Sequence, residues 1–243
     1  MKNKFLIIAV IILLAAGFAF VFRSPIKHVI LPPAPPPDNS YDATVPDKVE
    51  ATSALLNVPF VSQAPTANWK DPRQQDGCEE ASLLMAWLWV NNKSITPTEA
   101  EKVIQDMSDF ETTHYGNYYD LNAQDTAKLM KDYYGYEKTE VTIDPTLENM
   151  KDALRQGKLV IVPANGQKLD NPNFTGAGPL THMVVIKGFD DAKNEFTTND
   201  PGTRLGNNYK YAYNTLYNAM VNYPSGHHES QAGMPKAMIA VTK

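Results

Sequence analysis

An uninterrupted apolar run from Phe5 to Phe22 constrains this chain before any other feature does. Its 18 residues include one glycine and no charge, with Lys2 and Lys4 before it and Arg23 after it. A helix needs ~20 apolar residues to cross the hydrocarbon layer, so the run is near the lower limit for a span. A cleaved signal has a shorter apolar core followed by a small-x-small site. Cutting after Ala15-Ala16-Gly17 would leave Phe18-Ala19-Phe20-Val21-Phe22 on the new terminus, and no cysteine directly follows the run to carry a lipid. Residues 1–30 are therefore expected to be an uncleaved membrane anchor, with secretion after signal cleavage as the alternative.

Proline then dictates the next segment. Leu31-Pro32-Pro33-Ala34-Pro35-Pro36-Pro37 must be extended, because proline fixes φ and lacks a donor. The polar stretch that follows has too few apolar residues to pack. Residues 31–53 thus read as a semi-rigid stalk, and residues 54–243 as one domain held away from a bilayer. Charge supports this division. The first 30 residues carry +4, so the overall −5 leaves −9 for residues 31–243. A surface that acidic repels phosphate backbones and argues against nucleic acid as a partner.

Within the domain, Leu56–Val61 reads as an edge strand and Ser82–Asn91 as a buried helix. Thr96-Pro97-Thr98-Glu99 is a capping box with proline at the first helical position. A third helix is expected from Asn122 to Tyr134, stopped by Gly135, and a fourth from Asp144-Pro145 to Gly157. Leu159–Val162 is a short buried strand. His182–Lys187 and Glu195–Thr198 form a hairpin about Asp190-Asp191, and Ala237–Thr242 closes the domain as a strand. Helices come first and strands cluster late, which is an α+β order.

The chemistry starts from Cys78, the one cysteine of the chain. It follows the polar turn Gln74-Gln75-Asp76-Gly77 and stands at the first turn of the apolar helix, where the helix terminus favours a thiolate. Glu79 and Glu80 oppose that effect, but successive helical residues project in different directions and need not face the sulfur. Of five histidines, His28 lies at the membrane end of the stalk and His114 in a Tyr- and Gly-rich loop. His227 and His228 lie in a polar loop open to solvent. His182 opens a strand after the small-residue loop Gly176–Thr181, a rigid mount for a proton-transfer group. The hairpin returns Asn199-Asp200-Pro201-Gly202 toward it, so Asp200 can orient the imidazole.

These blocks resemble the bacteriocin-leader-peptidase-like group of papain-fold cysteine peptidases, the family-thirty-nine-like group. The resemblance runs from about Leu56 to Asp200. Asn57-Val58-Pro59-Phe60-Val61-Ser62-Gln63 is similar to the family's opening strand and its oxyanion-hole glutamine; Gly77-Cys78 is similar to its nucleophile block. His182-Met183-Val184-Val185-Ile186-Lys187-Gly188-Phe189-Asp190 with Asn199-Asp200-Pro201 is similar to its base and orienter block. The resemblance implies a papain-like fold with a helical N-terminal half packed on a C-terminal antiparallel sheet. It also implies Cys78 as nucleophile, His182 as general base, Asp200 as orienter and Gln63 as oxyanion donor, with Gln75 or Gln74 as alternative donors. No cofactor or resident metal is expected. The expected partners are peptide or protein substrates outside the cytoplasm, cell-wall peptides among them, and the membrane through the N-terminal helix. A transglutaminase-like acyltransferase, a cell-wall hydrolase of the NlpC type and a catalytically silent binding module are the alternatives. A metal hydrolase built on His227, His228 and Glu229 is the weakest of them, since adjacent histidines rarely face one ion.

Overall fold

The computed structural model describes residues 50–243. It begins with strand β1 (Ser53–Leu55), the short helix α1 (Pro72–Gln75) and three longer helices, α2 (Cys78–Val90), α3 (Pro97–Tyr115) and α4 (Ala123–Tyr134). Strand β2 (Thr139–Ile143), helix α5 (Leu147–Arg155) and strands β3 (Leu159–Ala164), β4 (His182–Asp190), β5 (Glu195–Asn199) and β6 (Asn207–Ala212) follow. Helix α6 (Tyr213–Ala219) and strand β7 (Ala237–Val241) complete the order. The expected anchor and most of the expected stalk lie outside the described residues. Among the described residues no helix is long and apolar enough to cross a membrane.

The capping signals become helix ends. The Thr96 side chain accepts from the Glu99 N–H, and the Glu99 carboxylate accepts from the Thr96 N–H at 2.9 Å. Asn122 caps α4, which stops at Gly135 with φ +67°, a conformation that favours glycine. Helix α5 starts later than Asp144-Pro145, because Thr146 is its cap and Asn149 closes the box. The edge strand expected over Leu56–Val61 does not form: β1 ends at Leu55 and the chain beyond it is irregular. Pro59 cannot donate to a ladder. The Val58 carbonyl instead accepts from Lys187 Nζ at 3.3 Å and Asn199 Nδ2 at 3.2 Å.

All strand pairings are antiparallel, in the order β2-β7-β3-β4-β5-β6, with β1 pairing the far end of β4. The chain's last strand therefore sits inside the sheet, between β2 and β3. Alternate residues of β3, β4 and β7 point to opposite faces. Leu159, Ile161, Met183, Val185, Ile239 and Val241 meet α2, α3 and α4. Val160, Val162, Val184, Ile186, Met238 and Ala240 meet α5 and α6. With both faces covered, β3 and β4 must be apolar throughout, which is how they read in the sequence. Each large side chain so buried contributes roughly 1.5–3 kcal/mol. The expected architecture thus holds as mixed helices and antiparallel sheet, with the three longest helices on one face.

Helix α2 is enclosed nearly all round: Cys78 through Ala86 are all buried. That enclosure carries two acids, Glu79 and Glu80, into the interior with it.

Candidate active site

The hairpin β4–β5 builds one half. Val185 pairs with Asn199, so the residue after β5, Asp200, returns beside the first residue of β4, His182. His182 is 1% exposed and Asp200 0%, and Nε2 lies 2.8 Å from Oδ1. The Gly202 N–H donates to Oδ1 at 3.0 Å. Oδ2 accepts from the Tyr211 hydroxyl at 2.5 Å and from Asn171 Nδ2 at 3.2 Å. Asn171 is itself buried. Burial would push the Asp200 carboxyl up; the imidazole, the Tyr211 hydroxyl and the Gly202 N–H outweigh it and hold it below the usual carboxylate range. With Nε2 committed to Asp200, Nδ1 is the ring nitrogen left to exchange a proton. Phe174 stands edge-on to the ring, and a Cβ on Gly202 would lie 2.8 Å from Cε1, so the imidazole is held from both sides.

Helix α2 builds the other half. Its cap is Gly77, where any Cβ would lie 2.7 Å from the Arg73 carbonyl oxygen, so only glycine fits the turn from α1 into α2. Cys78 is the first helical residue and 4% exposed. Its Sγ donates to Glu79 Oε2 at 2.9 Å, so of the two neighbouring acids, neither of which need face the sulfur, Glu79 does. Glu79 Oε1 accepts from the Tyr223 hydroxyl at 2.7 Å and the Leu121 N–H at 3.2 Å. Tyr223 Oη also lies 3.2 Å from the His182 carbonyl oxygen, so one phenol ties the start of α2 to the start of β4. Glu80 faces α3, accepting from Ser108 Oγ at 2.8 Å.

The electrostatics of this half run against the helix terminus. Burial, then the Glu79 carboxylate, then Asp120 and Glu80, push the Cys78 thiol well up. Burial and Asp120 push Glu79 up to about 7. Burial, Glu111 and Glu79 push Glu80 well up, and Glu111 rises from burial and Glu79. Desolvation disfavours the charged form, and like charges add to it. These surroundings disfavour a thiolate on Cys78, against the pull of the helix start.

Gln63 lies between the two halves. Its backbone N–H donates to the Pro201 carbonyl at 3.0 Å, and its Nε2 donates to the Gln74 and Gln75 carbonyls at 3.0 and 2.8 Å. Both amide hydrogens are therefore engaged in the resting site. The alternatives are also occupied: Gln74 Nε2 donates to Glu101 Oε1 at 2.7 Å and Gln75 Nε2 to the Trp69 carbonyl at 2.8 Å. Of the three, Gln63 is the one joined to both the Asp200-Pro201 turn and the turn before Cys78.

His28 lies outside the described residues; the other histidines stand apart from the His182–Asp200 pair. His114 is in the last turn of α3, exposed. His228 is not simply solvated: its Nδ1 lies 3.1 Å from Asp120 Oδ2, and the Thr181 hydroxyl donates to Asp120 Oδ1 at 2.6 Å. His227, His228 and Glu229 do not bring three ligand atoms together; among the described residues Glu50, Glu148 and Asp152 do, at the surface, with Arg155 paired to all three. Sequence reasoning left the direction of Glu79 open and missed Tyr223, Asn171 and Tyr211. A Tyr-x-Tyr alternation at Tyr209 and Tyr211, just after the Asp-Pro-Gly turn, was the available signal for the last of these.

The family model described as "Peptidase_C39 like family" matches residues 55–225, a span holding Gln63, Cys78, His182, Asp200 and Tyr223. A solved structure from Bacillus anthracis, named as a C39-like peptidase, matches with a TM-score of 0.51 at 18% identity. That match covers 79% of this chain and 98% of the other, and at such identity it is the fold that is shared. No curated protein matches the chain.

Proposed function

The chain belongs to the Peptidase_C39 like family, and from that premise we propose that it hydrolyses peptide or amide bonds through a thioester on Cys78. The observation that carries the reading is the buried His182–Asp200 pair at 2.8 Å, joined through Tyr223 to the segment that presents Cys78. In the first step His182 Nδ1 takes the thiol proton as Sγ attacks the carbonyl carbon. The imidazolium that forms is stabilised by Asp200, whose carboxylate is already ionised and fully hydrogen-bonded. Collapse breaks the C–N bond, and the imidazolium gives its proton to the departing amine. Water then attacks the thioester with His182 as base, releasing the acid and restoring the thiol.

The developing oxyanion needs donors. The Cys78 N–H is one candidate, because the first N–H groups of a helix have no intrahelical acceptor. Gln63 is the second; to serve, its Nε2 must exchange one of its two carbonyl acceptors for the substrate oxygen. The test is hydrolysis of a fluorogenic peptide library by purified wild-type protein and by Cys78→Ala. Wild type should cleave and the variant should not. Equal cleavage by both would sink the assignment.

The N-terminal segment adds a location to this reading: a single-pass anchor with the domain outside the cytoplasm, where exposed peptides, those of the cell wall included, are the substrates. Protease added to intact cells should then clip the Pro-rich segment and release the domain. Protection until the membrane is broken would place the domain inside.

A further inference from the structure

Sγ of Cys78 has a hydrogen-bond acceptor other than an imidazole: Glu79 Oε2, at 2.9 Å. This carboxylate is not a surface group that happens to reach inward. It is 2% exposed, and its other oxygen is fixed by Tyr223 Oη at 2.7 Å and the Leu121 N–H at 3.2 Å. Two separate parts of the chain thus hold it in place against the sulfur. The charged and titratable groups around it are Cys78 and Glu80 on α2, Glu111 on α3, Asp120 before α4 and Tyr223 after α6. Those acids carry the same sign as Glu79, and Asp120 is the one that meets His228.

We propose that Glu79 is a positioning residue that caps the nucleophile: its carboxylate accepts the Cys78 S–H bond and holds the sulfur protonated and turned toward α2 until substrate draws it to His182. The inference rests on Cys78 being the nucleophile and adds a control on when it reacts. Two effects act together. A negative charge beside the sulfur disfavours a second negative charge on it. The S–H···O bond also fixes the side-chain direction, so attack requires that bond to break. Burial of Glu79, with Asp120 near it, places its own protonation close to neutrality, so the cap loosens as the solution becomes acidic.

The test uses the full-length protein and iodoacetamide, which forms an S–C bond at Cys78 and releases iodide. Cys78 is the one cysteine of the chain, so the adduct mass reports that sulfur alone. Alkylation rates are measured from acid to alkaline pH in wild type, Glu79→Gln and Tyr223→Phe, each referred to the same protein's rate at the alkaline end to remove differences in access. Gln keeps the size of Glu79 and an acceptor for Tyr223 and Leu121 but has no charge. At neutral pH its relative rate should rise about tenfold or more, the change that a fall of one unit in a thiol pKa produces. Tyr223→Phe removes a donor to the carboxylate, so Glu79 stays protonated to higher pH and the rate should rise by a smaller factor. Profiles that superimpose on wild type in both variants would overturn the proposal, and so would slower alkylation in Glu79→Gln. Should Glu79→Gln fail to fold, Tyr223→Phe decides alone. Because alkylation needs no substrate, this outcome is separate from whether Cys78→Ala abolishes hydrolysis.

Discussion

The two halves of the site are buried to the same depth and solve the problem of burying charge in opposite ways. Asp200 has a donor on each oxygen and an imidazole beside it, and its carboxyl stays ionised. Around Cys78 the acids face one another. Among the described residues, Glu79, Glu80 and Glu111 have no lysine or arginine as hydrogen-bond or ion-pair partner, and Glu111 Oε1 has no partner. Their carboxyls move toward the neutral form instead. Donors alone do not make the difference, since Glu79 also has one on each oxygen; Asp200 has the imidazole beside it, whereas Glu79 has Asp120, of its own sign. One half is prepared to stabilise a cation; the other is set against forming an anion.

That contrast is broken most severely by removing the proposed base. His182→Ala should lower kcat/KM by ~10²–10⁴-fold, the range that a positioned general base supplies. Asp200→Asn should cost less, because it disturbs the ring without removing it. Steady-state kinetics on the two variants order them. Wild-type turnover in Asp200→Asn would return that residue to the role of an ordinary turn former.

A second prediction uses the opposite signs directly. The Asp200 carboxyl is held below its ordinary value of 3.8, so its contribution to stability is complete above that value and is lost as pH falls through the folded one. Glu79 is raised from 4.5 to about 7, so its contribution is complete below 4.5 and is lost as pH rises toward 7. Glu80 and Glu111 act in the same sense as Glu79. Stability measured by urea unfolding should therefore decline from mildly acid pH toward neutrality, by on the order of 1.4 kcal/mol per pH unit for each such group. Glu111→Gln should flatten that decline. A stability that rises across this interval would mean that the acids around Cys78 find partners that the geometry does not give them.

The same contrast explains what was legible in the sequence. The base half was readable because a hairpin has a period: once His182 begins one strand and Asn199 ends the next, pairing alone returns Asp200 to the histidine. The nucleophile half was readable only in part. The place of Cys78 between a glycine turn and an apolar helix is legible, and it makes the residue a candidate. The direction of Glu79 is not legible, because helical projection separates adjacent Cα–Cβ bonds but leaves a long side chain free to fold back. Tyr223 lies 144 residues from Glu79 in the chain, and nothing local marks it as a partner. The strand expected at Leu56–Val61 failed for a different reason. Its apolar residues are those of a strand, but its carbonyls are taken by Lys187 and Asn199 side chains, a tertiary fact with no sequence period.

The smallest effect is expected at the start of α3, and it asks how local the acidic environment is. Thr96 caps this helix, three turns before Ser108 and further still from Glu111, the two α3 residues that face the start of α2. Thr96→Ala removes the side-chain acceptor of the Glu99 N–H and should cost about 1 kcal/mol, as an N-cap loss typically does. The measurement is a shift in the urea midpoint with an unchanged slope. Because fraying is confined to the first turn, the buried residues at Ile104, Met107 and Ser108 should keep their places. The alkylation profile of Cys78 should then be that of wild type. A profile that moved along with stability would show that the whole helix, and not the contact at Glu79, sets the state of the thiol. The cap would then be a property of the α2–α3 packing, and the contrast between the two halves would have to be drawn one layer further out.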